Sequence, residues 1–181
     1  GLPPEMLQVV TGDPREIADE LITNEHVEVV TFTGGVSIGK YIAQKAGYRR
    51  TVLELGGNDP VIVMEDADVE EAASLAAQGS YKNSGQRCTA VKRMLVHEAV
   101  AQRFTDLVVD KTKAWSYGDP SNPKVEMGTV IDEAAARLFE QRVDEAIAQG
   151  ARLLAGHKRE GALFAPTVID RVRPDMMVVK E

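Results

Sequence analysis

Short β-branched runs that break at glycines and resume at helical spacing constrain this chain most. Val27 to Phe32 is apolar and β-branched, Gly34 and Gly35 interrupt it, and Ile38, Tyr41 and Ile42 continue on one helical face. Strand, glycine turn and helix follow one another. The pattern recurs. Thr51 to Leu55 and Pro60 to Met64 read as buried strands around the turn Gly56 to Asp59, and an alanine-rich helix capped by Asp68 with Glu71 runs to about Tyr81. Upstream, Leu7 to Val10 reads as a short strand, and Asp13-Pro14-Arg15-Glu16 opens a helix through about Leu21. Downstream, Met94 to Val96 precedes a helix marked by Val100, Phe104, Leu107 and Val108; Leu138 to Ile147 marks another, ended by Gly150. Leu153-Leu154, Leu163 to Ile169 and Met176 to Val179 are the last expected strands. Strands alternating with helices of this length predict an α/β fold with a largely parallel sheet.

Charge and composition narrow the function. A net charge of −7 argues against nucleic acid, whose phosphates need a basic face. No apolar run approaches the roughly 20 residues needed to cross a bilayer, so no membrane role is expected. The single cysteine excludes an intrachain disulfide and suggests a reducing compartment, by default the cytoplasm. No metal-ligand spacing stands out.

Three constellations carry chemistry. Thr33-Gly34-Gly35-Val36-Ser37-Ile38-Gly39 lies between strand and helix, where free N–H groups and the helix dipole favour an anion such as a pyrophosphate. The same stretch matches the G-x-S-x-G nucleophile elbow, so a serine hydrolase built on Ser37 is a rival, with Asp119 or Asp132 and then His157 in chain order. Glu54, in Leu53-Glu54-Leu55-Gly56-Gly57, lies 20 residues after Gly34, where a dinucleotide fold puts its ribose-binding acid. It reads equally as a general base, or as a strand-end acid facing water. Cys88 lies in Lys82-Asn83-Ser84-Gly85-Gln86-Arg87-Cys88-Thr89-Ala90, and Lys82, Arg87, Lys92 and Arg93 bring positive charge that favours a thiolate. A non-catalytic piece that only folds or assembles is the third reading.

Taken in order, Phe32-Thr33-Gly34-Gly35, Glu54-Leu55-Gly56-Gly57 and Gly85-Gln86-Arg87-Cys88 resemble the aldehyde dehydrogenase superfamily, whose acid and cysteine have a similar spacing to the 34 residues here. The resemblance covers the whole chain. It implies a Rossmann-like cofactor domain followed by an α/β catalytic domain, with NAD or NADP held near Thr33, Gly34, Gly35, Gly39, Leu55 and Gly56. It implies Cys88 as the nucleophile toward a small-molecule aldehyde and Glu54 as the base that activates water. The Cys88 N–H would be an oxyanion donor. Around Cys88 the string is similar to members that oxidise phosphonate- or phosphate-bearing aldehydes such as phosphonoacetaldehyde, and Arg87 would hold that anion. Family members are longer and usually homo-oligomeric. The chain is therefore expected to be part of one, with 1–57 from the cofactor domain and 58–181 from the catalytic domain, and to be inactive alone.

Overall fold

The structure is a computed structural model that describes all 181 residues and divides into two compact units, Gly1–Gly56 and Gly57–Glu181. The first unit is built on one strand–helix–strand crossover. Helix α1 (Pro14–Thr23) starts at Asp13, whose carboxylate accepts the Arg15 N–H, with proline in the first turn. Strand β1 (Val29–Gly34), helix α2 (Val36–Ala46) and strand β2 (Arg50–Leu55) follow. β1 and β2 pair in parallel from Val29 opposite Arg50 to Gly34 opposite Leu55. Ile22, Ile42 and Ala46 are buried between the two helices and Val30, Phe32 and Leu53. After α2, Gly47 has the positive φ of 61° that favours glycine at a helix end. Leu7 to Val10 forms no strand: it has no pairing partner, and all four side chains are exposed.

The second unit repeats the parallel pair. Strand β3 (Asp59–Val63) and strand β4 (Val91–Val96) pair in parallel, connected through helix α3 (Val69–Tyr81) and the Cys88 loop. Asp68 caps α3 by accepting the N–H groups of Glu70 and Glu71. Helix α4 (Glu98–Ala114) lies beside α3. Val63, Val69, Ala73, Ala76, Phe104 and Val108 form a core against Val61, Met94 and Val96. Alternation along the strands leaves the other face open: Ile62 is 65% and Leu95 52% exposed. These strands are half-buried, in contrast to the expected buried ones.

The remainder departs most from expectation. Helix α5 (Glu133–Ala148) precedes strand β5 (Arg152–Ala155), strand β6 (Arg159–Glu160), strand β7 (Leu163–Phe164) and strand β8 (Val168–Asp170). β5 pairs with β8 and β6 with β7, both antiparallel, so only two of the four strand pairs are parallel. The expected strand Leu163 to Ile169 splits in two around Pro166, which lacks an N–H for the ladder. Met176 to Val179 enters helix α6 (Met177–Lys180) instead of a strand. No strand pairs with it, and Met176, Val178 and Val179 pack with Ala146, Ala151 and Ile169.

Candidate active site

In the first unit the glycine turn joins β1 to α2. The first N–H groups of a helix have no partner within it, and no side chain caps α2 at Gly35. No acidic residue occupies its first turn. α1, α3, α4 and α5 each receive a side-chain cap, from Asp13, Asp68, His97 and Asp132. The start of α2 thus has uncapped N–H donors at the positive end of its dipole, an arrangement chemically able to take an anion. A Cβ on Gly35 would meet nothing within 4 Å, whereas one on Gly34 would sit 2.4 Å from the Phe32 ring. Thr33 is exposed at the end of β1.

Gly39 serves helix–strand packing. It is buried, its N–H donates to Gly35 O (3.0 Å), and its missing Cβ leaves room for Leu55, whose δ carbons would lie at 2.4 and 2.6 Å. It lets α2 approach β2. Glu54 is exposed, while its neighbours Leu53 and Leu55 are half-buried, as alternation on β2 requires. Gly56 follows it, also exposed.

In the second unit, Cys88 is a free, exposed cysteine. The loop that carries it is held under backbone strain. Asn83 (φ 56°), Ser84 (φ 54°) and Gly85 (φ 69°) are consecutive left-handed residues. For the two that are not glycine this costs about 1–2 kcal/mol each. Side chains brace the loop from several directions. Ser84 Oγ donates to Gly128 O (3.1 Å), Ile131 N–H donates to Gln86 Oε1 (2.7 Å), and Arg87 Nη2 donates to Gly79 O (3.0 Å). At about 1 kcal/mol per hydrogen bond, the braces are of the same order as the strain. The Ala90 N–H then donates to Arg87 O (3.1 Å), closing a turn with Cys88 and Thr89 at its tip. The Cys88 N–H itself makes no hydrogen bond to the backbone.

The cations expected around the thiol are engaged elsewhere. Lys82 Nζ donates to Gln78 Oε1, Lys92 Nζ to Arg87 O and Ala90 O, and the Arg93 guanidinium to Asn58 O. They hold the loop and its surroundings. The Arg87 Nε is buried and has no partner.

The hydrolase elbow is not formed. Ser37 lies within regular helix α2, without the strained turn that would present a nucleophile. His157 Nε2 meets Asp144 Oδ1 (2.8 Å), while Asp119 accepts the Ser121 N–H and Asp132 caps α5. None of the three residues expected to support Ser37 forms that relay. No helix is long and apolar enough to cross a membrane, and no cluster of His, Cys, Asp and Glu suits a metal ion.

Sequence reasoning missed Ser84, Gln86, Gly57 and Asn58. A Cβ on Gly57 would lie 2.7 Å from Cys88 O, so the second glycine of the pair permits a close approach. The unexplained Gly-Gly doublet was its only sequence signal.

The sequence profile of the aldehyde dehydrogenase family matches residues 1–181. The chain is 41% identical over its full length to a 3-sulfolactaldehyde dehydrogenase from Priestia aryabhattai, and it spans 38% of that relative. It superposes with a TM-score of 0.96 on a succinate-semialdehyde dehydrogenase from Burkholderia pseudomallei, at 36% identity over 100% of this chain and 39% of that one. Against an NADP-dependent glyceraldehyde-3-phosphate dehydrogenase from Bacillus halodurans, complexed with NADP, the TM-score is 0.91 at 41% identity, covering 94% of this chain and 36% of the other. A full-length profile match, together with these likenesses, means that the chain belongs to the aldehyde dehydrogenase family.

Proposed function

We propose that these residues are the central part of a longer NAD(P)-dependent aldehyde dehydrogenase that oxidises an aldehyde to a carboxylic acid. Residues 1–57 belong to its cofactor domain and 58–181 to its catalytic domain. The observation that carries this reading is an exposed thiol at the tip of a strained, cross-braced loop. Holding a cysteine this way suits a nucleophile, whereas a packing cysteine is ordinarily buried.

The Cys88 thiolate attacks the aldehyde carbonyl. A C–S bond forms, the carbonyl π pair moves to oxygen, and the free Cys88 N–H donates to that oxyanion. A bound dinucleotide would supply the hydride acceptor needed to take this thiohemiacetal to a thioester. Its fit rests on the start of α2: the uncapped N–H groups after Gly35 suit a pyrophosphate, with Thr33, Gly34, Leu55 and Gly56 beside them in sequence or in the paired strands. Glu54 takes a proton from water, the resulting hydroxide adds to the thioester, and the C–S bond breaks to return the thiolate and release the acid. Exposure at the strand end leaves the Glu54 carboxylate open to water.

Arg87 is proposed to favour aldehydes that carry a phosphonate, phosphate or sulfonate. Its unpartnered Nε supports this, as do the names of the sulfolactaldehyde and glyceraldehyde-3-phosphate enzymes. The whole enzyme is proposed to be cytoplasmic and homo-oligomeric.

Pre-steady-state kinetics of the full-length enzyme test the roles separately. Cys88→Ala is expected to abolish the burst of reduced cofactor. Glu54→Gln is expected to retain one burst equivalent per site and lose steady-state turnover, because acylation needs the thiol and deacylation needs the base. A full burst from Cys88→Ala overturns the reading.

A further inference from the structure

Gly57, Asn58, Cys88 and Arg93 all lie in the second unit, at the end where β3 and β4 begin. The strand register shifts there, between Asp59 and Pro60, and Pro60 has no N–H to add to the ladder. Arg93, opposite Pro60 in the register, supplies donors instead. Its Nε and Nη2 both donate to Asn58 O, at 2.9 and 2.7 Å. On the other side, Asn58 Nδ2 donates to Val179 O (2.5 Å) at the C-terminal helix. Asn58 is therefore tied on two sides, through its backbone carbonyl and its side-chain amide. Its neighbour Gly57 approaches the Cys88 carbonyl so closely that an added Cβ would sit 2.7 Å from that oxygen, and 2.7 Å from Asp59 Oδ1.

We infer that Arg93 is a positioning residue for the nucleophile, acting through Asn58 and Gly57. The fork of Arg93 fixes Asn58 through its carbonyl, and with it the neighbouring Gly57, which packs close to the Cys88 carbonyl. That contact orients the peptide joining Cys88 to Thr89, and through it the Cys88 main chain whose N–H faces the developing oxyanion. Arginine suits the task, because a planar fork holds one acceptor from two directions while lysine offers a single point of charge. The inference rests on Cys88 being the nucleophile.

The test is the burst of reduced cofactor in the full-length enzyme at saturating aldehyde, with rate constant and amplitude read separately. Arg93→Ala and Arg93→Lys are each expected to slow the burst by about tenfold or more while keeping its amplitude per enzyme, since displacement of reacting groups by about 1 Å can cost up to a hundredfold. A merely structural role would lower the amplitude, through loss of folded enzyme, and leave the rate constant of the remainder unchanged; that result overturns the inference. Gly57→Ala is expected to slow the burst similarly, and the Gly57→Ala, Arg93→Lys double variant no more than the slower single one, because both act on the same peptide. Independent effects that multiply would contradict a shared path. If Arg93→Ala does not fold, Arg93→Lys and Gly57→Ala decide the matter on the same readout. A burst that survives Cys88→Ala would instead defeat the assignment of Cys88.

Discussion

Gly39→Ala tests how α2 is held against the sheet. A mid-helix glycine replaced by alanine normally gains about 0.8–1 kcal/mol, because the unfolded chain loses backbone freedom. Here the new methyl would lie 2.4 and 2.6 Å from the δ carbons of Leu55. Carbon atoms are at ease at roughly 3.5–4.0 Å, so Leu55 or α2 must move by about 1 Å. Overpacking of this kind costs about 1–3 kcal/mol, which outweighs the propensity gain and leaves a net loss near 1 kcal/mol. In a Leu55→Ala background the obstructing atoms are gone, and Gly39→Ala should become stabilising by about 1 kcal/mol. The coupling in the double-mutant cycle is then about 2 kcal/mol. Urea unfolding of the 181-residue chain, followed by far-ultraviolet circular dichroism, measures it. The single tryptophan, Trp115, lies in the other unit and does not report on α2. Additivity of the two substitutions within about 0.5 kcal/mol would refute the packing argument.

Two further substitutions probe the ligand contacts in the full-length enzyme. Gly35→Ser places a hydroxyl at an N-cap with open space around it, so α2 should gain a few tenths of a kcal/mol. NAD(P) should also bind about two- to tenfold more tightly by calorimetry, the worth of one added hydrogen bond; unchanged affinity contradicts an anion site at the start of α2. Arg87→Ala removes both the Gly79 brace and the proposed anion contact. Its kcat/KM on phosphonoacetaldehyde should fall about tenfold or more beyond its fall on acetaldehyde, and equal losses would leave Arg87 with the brace alone.

Much of this architecture was legible because its causes are local. Asp68 followed by Glu71 marks the start of α3 to the residue, since a cap and the groups it satisfies are neighbours in sequence. The glycines after β1 likewise mark the turn into α2. The misreadings have tertiary causes. Leu7 to Val10 has the composition of a strand but lacks a partner, and Met176 to Val179 is drawn into a helix by its packing on Ala146 and Ala151. Cys88, Glu54 and the glycine turn stood out as motifs, yet the forces on the cysteine loop did not. Its braces come from Gly79, Gly128 and Ile131, whose backbone groups carry no sequence signature. For the same reason Arg93 read as one more cation near the thiol, when its guanidinium is committed to a carbonyl.

The central claim is that Cys88 carries the substrate as a thioester. Full-length Glu54→Gln enzyme, mixed with aldehyde and NAD(P), quenched in acid and digested, should yield the Cys88 peptide heavier by one acyl group in a yield matching the burst. Stoichiometric turnover with an unmodified Cys88 peptide, or with the acyl group on another residue, would contradict it.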